Sequence, residues 1–573
     1  MEQKHNLNKR IFDSLKRTYE KKDKRYQEIR DLLAPGTGVF DSSDSLENTS
    51  INYTKLLDSE PCSYLDTTTA GLYGGLINPA TRWFDITINK SRPQYQGLDL
   101  YSISHALENA KEFIYFLFAR SNFYSAMRPV LSEWIRYGLG VMLIEERDWD
   151  FIFFNPLTIG EYYLGINEHG EYDKLARTLT FTAEQMVKKF GKDKCPERVV
   201  ETYEKGDYEA TFEVKHLICP NSDTGLVPSV FKYMDLYWIE GNEQCRFLRK
   251  SGFHSNPIVV FSWERKNIRT IYPLGIGEKI LGDVKELQFT VKSLNINKSY
   301  LANPALALHT SLGKKPVLPG SRFYTDQDPS KVAAEIYRVN PYIAELEDSR
   351  ARLLEKIRRI SLADILLLFA QQQQPNKTAT EVSAIVREQM TLLAPVYLQA
   401  KEGLNAIFKR VFDICKRRGV LRELENLNIQ DMDVEFLSSI AKAQKMAEIG
   451  SIQELVQYIA ALGQIKPGAL DYINEDAIIK DVAERLGNAS KINSDEEVAN
   501  LRQAQAEQQQ QMAQLEMEAE RMKMLKDASK AEIRNNNLLG QQMVQQGQGI
   551  PADPKEQLER EKMAMQAKSR GGF

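Results

Sequence analysis

From Gly275 onward the chain reads as helix almost without relief. The one break, residues 303–340, is marked by Pro304, Pro316, Pro319-Gly320 and Pro329. Proline removes a backbone donor and clashes with the preceding turn, so a helix does not run through such a cluster. The helical patterns on either side, 277–301 and 341–360, therefore predict an antiparallel hairpin with a loop-rich tip. A long helix is expected after it. Thr378-Ala-Thr-Glu381 fits a capping box, and apolar residues from Val382 through Leu404 to Ile414 mark one stripe. Lys416, Arg417 and Arg418 then stand at its negative end, just before Gly419. Pro395 lies inside this helix and is expected to kink it.

The half before Gly275 has another texture. Helices are predicted over 11–33, 65–76, 106–120 and 123–134, the second rich in Gly and Ala and suited to close packing. WFDITI (83–88) alternates as a half-buried strand does. Short β-branched or aromatic runs at 141–145, 151–154, 161–164, 175–181, 210–218, 230–240 and 257–263, separated by turn residues, predict a mostly sheet region. Beyond Asp433 shorter helices are expected at 436–449, 452–462 and 475–486. A Gln-rich helix follows from 495 to about 534, with a partial seam of Met512, Leu515, Ala519 and Met522 at coiled-coil spacing. The Gln-, Gly- and Lys-rich remainder has little to bury and is expected to be disordered. The fold class is α+β, with helix dominating the C-terminal half.

At 573 residues one core cannot suffice. The net charge of −3 argues against a protein that grips nucleic acid over its whole surface, because such binders gain affinity from an excess of Lys and Arg. Any DNA contact must be local or weak. The five cysteines are scattered without a CxxC pair, which suits free thiols in a reducing compartment. Residues 1–30 are polar and charged, unlike a secretory signal, and apolar runs such as 365–370 are too short for a membrane span. No GxxxxGK[ST], GxSxG or HExxH occurs, and the Gly275–Gly282 segment has the wrong glycine spacing for a dinucleotide site. His5, His105, His169, His216, His254 and His309 are far apart in sequence, none at metal-ligand spacing. No catalytic residue, cofactor or metal site is expected.

Several blocks in order carry a resemblance: LLDSEP (56–61), the Ala/Gly-rich helix with Asn78-Pro79 and Trp83-Phe84, SNFY (121–124) and YGLGVMLIEE (137–146). NPLTIGEYYLGINEHGEYDKLART (155–178), YPLGIGEKILGDVKELQ (272–288) and NKTATEVSAIVREQMTLLAPV (376–396) continue it. Together they resemble the portal, or head-to-tail connecting, proteins of podoviruses. The resemblance implies a twelve-fold ring at one capsid vertex, assembled in the host cytoplasm. Double-stranded DNA would pass through it transiently and without sequence preference. The terminase large subunit, a tail adaptor, and the major capsid and scaffold proteins would be partners, with no membrane. It also implies a division into wing (1–271, returning over 364–419), stem helices (272–301 and 341–363) and clip (302–340). A tunnel loop (371–377), the kinked helix (378–419), crown (420–494), barrel helix (495–540) and tail (541–573) would complete it.

Within that frame, candidate channel residues are Gln371, Gln372, Gln373, Gln374, Asn376 and Lys377 in the tunnel loop and Lys314, Lys315 and Arg322 in the clip. Lys285, Lys292, Arg352, Lys356 and Arg359 are the stem candidates. A conduit for a sliding polyanion should be polar and mixed in charge, and one cation per subunit becomes a ring of cations under rotational symmetry. The plainer alternatives stay open: solvated helix faces with i,i+4 pairs for the stem, and a flexible polar linker for 371–377. A coiled-coil capsid scaffold is the alternative function, disfavoured by the sheet-rich region 141–263. A packaging ATPase is disfavoured by the missing phosphate loop.

Overall fold

The computed structural model describes residues 2–40, 55–88, 100–148, 151–224, 226–239, 247–302, 306–308, 333–335, 343–370, 379–421, 432–436 and 495–533, with a few single positions and short runs between. The chain divides into two units, 1–454 and 455–573.

The first unit opens on α1 (Glu2–Leu33), whose Phe12, Leu15, Tyr19, Tyr26, Ile29 and Leu33 form one buried stripe. α2 (Glu60–Leu76) starts with Pro61 in its first turn, where a missing N–H costs nothing. β1 (Phe84–Ile88), α3 (Leu100–Arg120) and α4 (Phe123–Tyr137) follow. α4 ends at Gly138, whose φ of 86° is left-handed. A Cβ there would stand 2.7 Å from Gly275 N and 2.8 Å from Pro273 O, so only glycine serves this turn.

β2 (Leu139–Arg147) then runs between β3 (Phe151–Leu157) and β9 (Ile258–Ser262) in an antiparallel sheet of order β3-β2-β9. The first six residues of β2 are all buried, which explains its continuous apolar run. A five-stranded antiparallel meander follows: β4 (Tyr162–Ile166), β5 (Tyr172–Thr182), β6 (Thr211–Pro220), β7 (Tyr233–Trp238) and β8 (Phe247–Phe253). Between β5 and β6 lie α5 (Ala183–Phe190) and α6 (Glu197–Glu204). α5 begins with a complete capping box, Thr182 with Gln185. Met186, Phe190 and Val199 make a second small core against Val214, Tyr237 and Leu248 of the meander. A single turn, α7 (Asn221–Thr224), joins β6 to the chain before β7.

The predicted hairpin is present. α8 (Ile276–Ala302) and α9 (Ile343–Ile360) pack through Leu281, Val284, Leu287 and Val291 on one side and Leu353, Leu354 and Ile357 on the other. Between them, β10 (Leu306–Leu308) pairs with β11 (Ala333–Glu335). α10 (Ala363–Ala370) lies against α2, where Gly71 admits the Leu366 side chain. α11 (Ala379–Arg417) passes through Pro395 without ending. Its C-terminus closes with Val420 N donating to Cys415 O and Gly419 N to Lys416 O, with Gly419 left-handed. Thr378, whose side chain would form the expected capping box with Glu381, lies outside the described residues, just before the first residue of α11.

One element departs from the sequence reading. Residues 420–494 read as helical, yet β12 (Met432–Phe436) is a strand, paired antiparallel with β1. The reason is aromatic burial: Phe436 stacks near Trp83 and meets Phe408, closing a cluster with Phe84, Phe118 and Phe123. Of the helix expected at 452–462 the described positions 452, 455–459 and 461 are helical, as are 476–479 and 482 of the one expected at 475–486, whereas 437–449 and the tail 541–573 lie outside the described residues. In the second unit, Met512, Leu515 and Ala519 of the expected seam are half-buried on α12 (Asp495–Ile533) while Met522 is exposed, and Arg502 of this helix holds Asp476 through two N–H···O contacts of 2.6 and 2.8 Å.

Candidate functional site

Two helices of opposite direction bring their charged residues level with one another, and the hairpin uses this. Lys356 of α9 donates to Asp283 of α8 at 2.6 Å, and Lys298 of α8 to Glu347 of α9 at 2.9 Å. Lys285 reaches Glu28 of α1 at 2.9 Å, and Arg352 pairs with Asp348 one turn earlier at 2.6 Å. Arg25 of α1 holds Glu278. Three of the five stem candidates, Lys285, Arg352 and Lys356, thus have carboxylate partners within the chain. Lys292 and Arg359 are exposed with no such partner among the described residues. Surface pairs of this kind are each worth roughly 0–1 kcal/mol, and they neutralise the charge of the hairpin rather than hold its helices together.

What fixes the hairpin is buried. Gln288 accepts from Leu57 N at 2.8 Å and Asp58 N at 2.9 Å, and donates to Asp58 O at 2.8 Å. The Asp58 carboxylate, itself buried, receives Arg350 of α9 at 2.8 Å and Glu60 N at 3.1 Å. The LLDSEP segment is therefore a clamp between the two helices, a role that its sequence does not announce. Gln371, Gln372, Gln373, Gln374, Asn376, Lys377, Lys314, Lys315 and Arg322 lie outside the described residues.

Elsewhere the titratable groups are locked rather than poised. Arg177 Nε donates to His216 Nδ1 at 2.8 Å, which leaves Nε2–H to face Asp235 at 2.6 Å; Ser251 donates to the other Asp235 oxygen at 2.7 Å. Serine and imidazole share the carboxylate and do not meet, so this is no nucleophile–base pair. Burial, reinforced by Arg177, lowers the His216 pKa to about 4. Glu133 is pushed up to about 8 by burial, against the hydrogen bonds it accepts from Thr158 and Ile159. Arg410, with only 1% of its side chain exposed, donates to Ser255 Oγ at 2.6 Å and approaches Glu146 at 3.3 Å. Arg417 holds the same Glu146, joining α11 to β2. Among the described residues, Cys62, Cys195, Cys219 and Cys415 are in no disulfide. Among the described residues no three His, Cys, Asp or Glu side chains gather as a metal site. No helix among them is long and apolar enough to cross a membrane.

Over 500 residues the chain is 31% identical to the portal protein of Salmonella phage epsilon15, covering 84% of this chain and 88% of that one. Over 497 residues it is 28% identical to the probable portal protein of Bordetella phage BPP-1, covering 84% and 87%. The family model for the bacteriophage head to tail connecting protein matches residues 5–492. With that match spanning both the sheet-rich half and the hairpin, the chain belongs to the bacteriophage head-to-tail connecting (portal) protein family.

Proposed function

We propose that copies of this chain close into a ring of about twelve at one capsid vertex, with α8 and α9 as the wall of a channel for double-stranded DNA. The observation that carries this reading is the hairpin: both signs of charge on its solvent faces, mostly neutralised in pairs, over a clamp that holds the two helices rigidly. Such a wall lets a polyanion slide, because few unpaired cations remain to trap phosphates. The role is structural and calls for no catalytic residue. Residues 302–340 would be the clip that docks the terminase large subunit during packaging and a tail adaptor afterwards. Residues 371–377 would be the tunnel loop, 420–494 the crown, and 495–540 a barrel extending into the capsid. Lys377 and, in the clip, Lys314, Lys315 and Arg322 would touch phosphates. Assembly would take place in the host cytoplasm with the major capsid and scaffold proteins.

Mass measurement of the purified full chain, with end-on negative-stain images, tests the reading. Closed rings of about a dozen 65.6 kDa subunits around a hole wide enough for a duplex are expected. Monomers or dimers would overturn it. ATP hydrolysis by the pure protein would point to a motor instead.

A further inference from the structure

β9 is an edge strand, paired with β2 on one side and with no strand on the other. Register decides which of its backbone groups are left over. Ile144 N donates to Pro257 O at 3.0 Å and Trp263 N to Gly138 O at 2.9 Å, so the odd-numbered residues of β9 bond to β2. The N–H and C=O groups of Ile258, Val260 and Ser262 point the other way. Asn256 Oδ1 accepts from Ile258 N at 3.0 Å, but the N–H and C=O of Val260 have no partner among the described residues. An edge left in this state is a template for another strand, and folds usually blunt it with a charge, a bulge or a cover. Here the same three residues line a cleft of about 880 Å³.

The facing wall is α11. Gln399, Glu402, Ala406 and Lys409 line the cleft in steps of three, four and three, which sets them in one row along the helix. Ala406 leaves room in the middle of the row, and the exposed Glu402 and Lys409 have no ion-pair partner among the described residues. Two polar atoms of this wall are buried without a hydrogen bond: Gln399 Oε1, and Nε of Arg410, whose side chain is only 1% exposed. One wall therefore offers strand backbone, and the other an acceptor, a donor and one charge of each sign. An extended chain matches both, its backbone on β9 and its side chains on α11. A folded sheet of a second copy does not fit, because the edge is recessed: Ile258 is 4% exposed and Ser262 9%.

We infer that this cleft takes an extended arm of a partner protein as an added strand on β9, with a cation toward Glu402 and an anion toward Lys409. None of its residues belongs to α8 or α9, so the site stands apart from the channel reading and does not depend on it.

Two capped heptapeptides, VKVTVEV and VEVTVKV, serve as probes, one for each order of the charges along α11. Each is added at about 1 mM to the full chain, and hydrogen exchange is followed by mass spectrometry on peptides covering 257–264. One of the two should slow exchange there about tenfold, and its N-methylated form, which cannot donate to β9, should not. Val260→Pro removes only an outward N–H, a change that edge strands tolerate, and should weaken binding about tenfold or more with unchanged far-UV spectrum and melting. Glu402→Lys/Lys409→Glu, on the exposed side of α11, should exchange the preference between the two peptides. Protection by neither peptide, or protection that survives both N-methylation and Val260→Pro, overturns the added strand. If Val260→Pro loses the fold, the charge swap decides, and an unchanged preference refutes the site. Wild-type assemblies that fall apart on Val260→Pro, with the subunit still folded, would place a second copy on this edge and refute the partner arm.

Discussion

Replacing Gln288 by leucine removes the clamp while keeping roughly the volume of the side chain. Three buried or half-buried groups lose their partner at once: the N–H of Leu57, the N–H of Asp58 and the C=O of Asp58, now held at 2.8, 2.9 and 2.8 Å. An unsatisfied buried group costs about 1–3 kcal/mol. The upper sum is not reached, because the 55–59 segment can swing outward and hydrate its amides, giving up the Arg350–Asp58 pair as it goes. A local cost of about 2–3 kcal/mol is expected, which corresponds to roughly 30- to 150-fold faster hydrogen exchange at these amides. Exchange followed by mass spectrometry on a peptide covering 55–60 reads this directly. The peptides of β2 and β9, on a different part of the core, serve as the internal reference. If the 55–60 amides exchange at the wild-type rate while the reference is unchanged, the clamp does not hold the hairpin.

His216 titrates near 4 in the folded chain against about 6.5 when unfolded, so the unfolded state takes up the proton first. Its contribution is therefore complete above about pH 6.5 and is lost as the pH falls toward 4, by at most about 3 kcal/mol. Denaturation midpoints from pH 7.5 down to 4.5 should fall less steeply for His216→Gln; parallel slopes would contradict this. Gly138→Ala should lower the melting temperature, with about 1–3 kcal/mol from the left-handed backbone alone and more from the contacts of its Cβ with 273 and 275. Gly74→Ala inside α2, where a Cβ meets nothing within 4 Å, should raise it slightly, by about 0.5–1 kcal/mol. Phe436→Ala removes a ring packed on Trp83 and Phe408, at about 3–5 kcal/mol, and should speed exchange across 84–88.

The helical hairpin, α1 and α11 were legible because each buries one stripe over many turns, and length averages out local ambiguity. Five-residue β12 was not. Its sequence MDVEF alternates as a strand should, but it stands alone among helical patterns, and its partner β1 lies in a remote part of the chain. α5 carried a visible start signal in Thr182 and Gln185 and was still absorbed into the sheet-rich region. The His216–Asp235 pair could not be found by spacing, because β6 and β7 bring it together across a register that sequence distance does not encode. At the hairpin, sequence showed which side chains were charged. It did not show that Lys285, Arg352 and Lys356 spend their charge on neighbours, nor that Gln288 and Asp58 do the holding.

The pairing of β1 with β12 also sets a clock on biosynthesis. A ribosome must add several hundred residues after Ile88 before Phe436 emerges, which takes about 15–70 s at ordinary elongation rates. Through that interval the nascent Phe84–Ile88 edge has no strand to accept, and Trp83 lacks the last wall of its aromatic box. Slowing translation within 89–431 lengthens this unprotected window, whereas supplying MDVEF early, as a separate peptide, would shorten it.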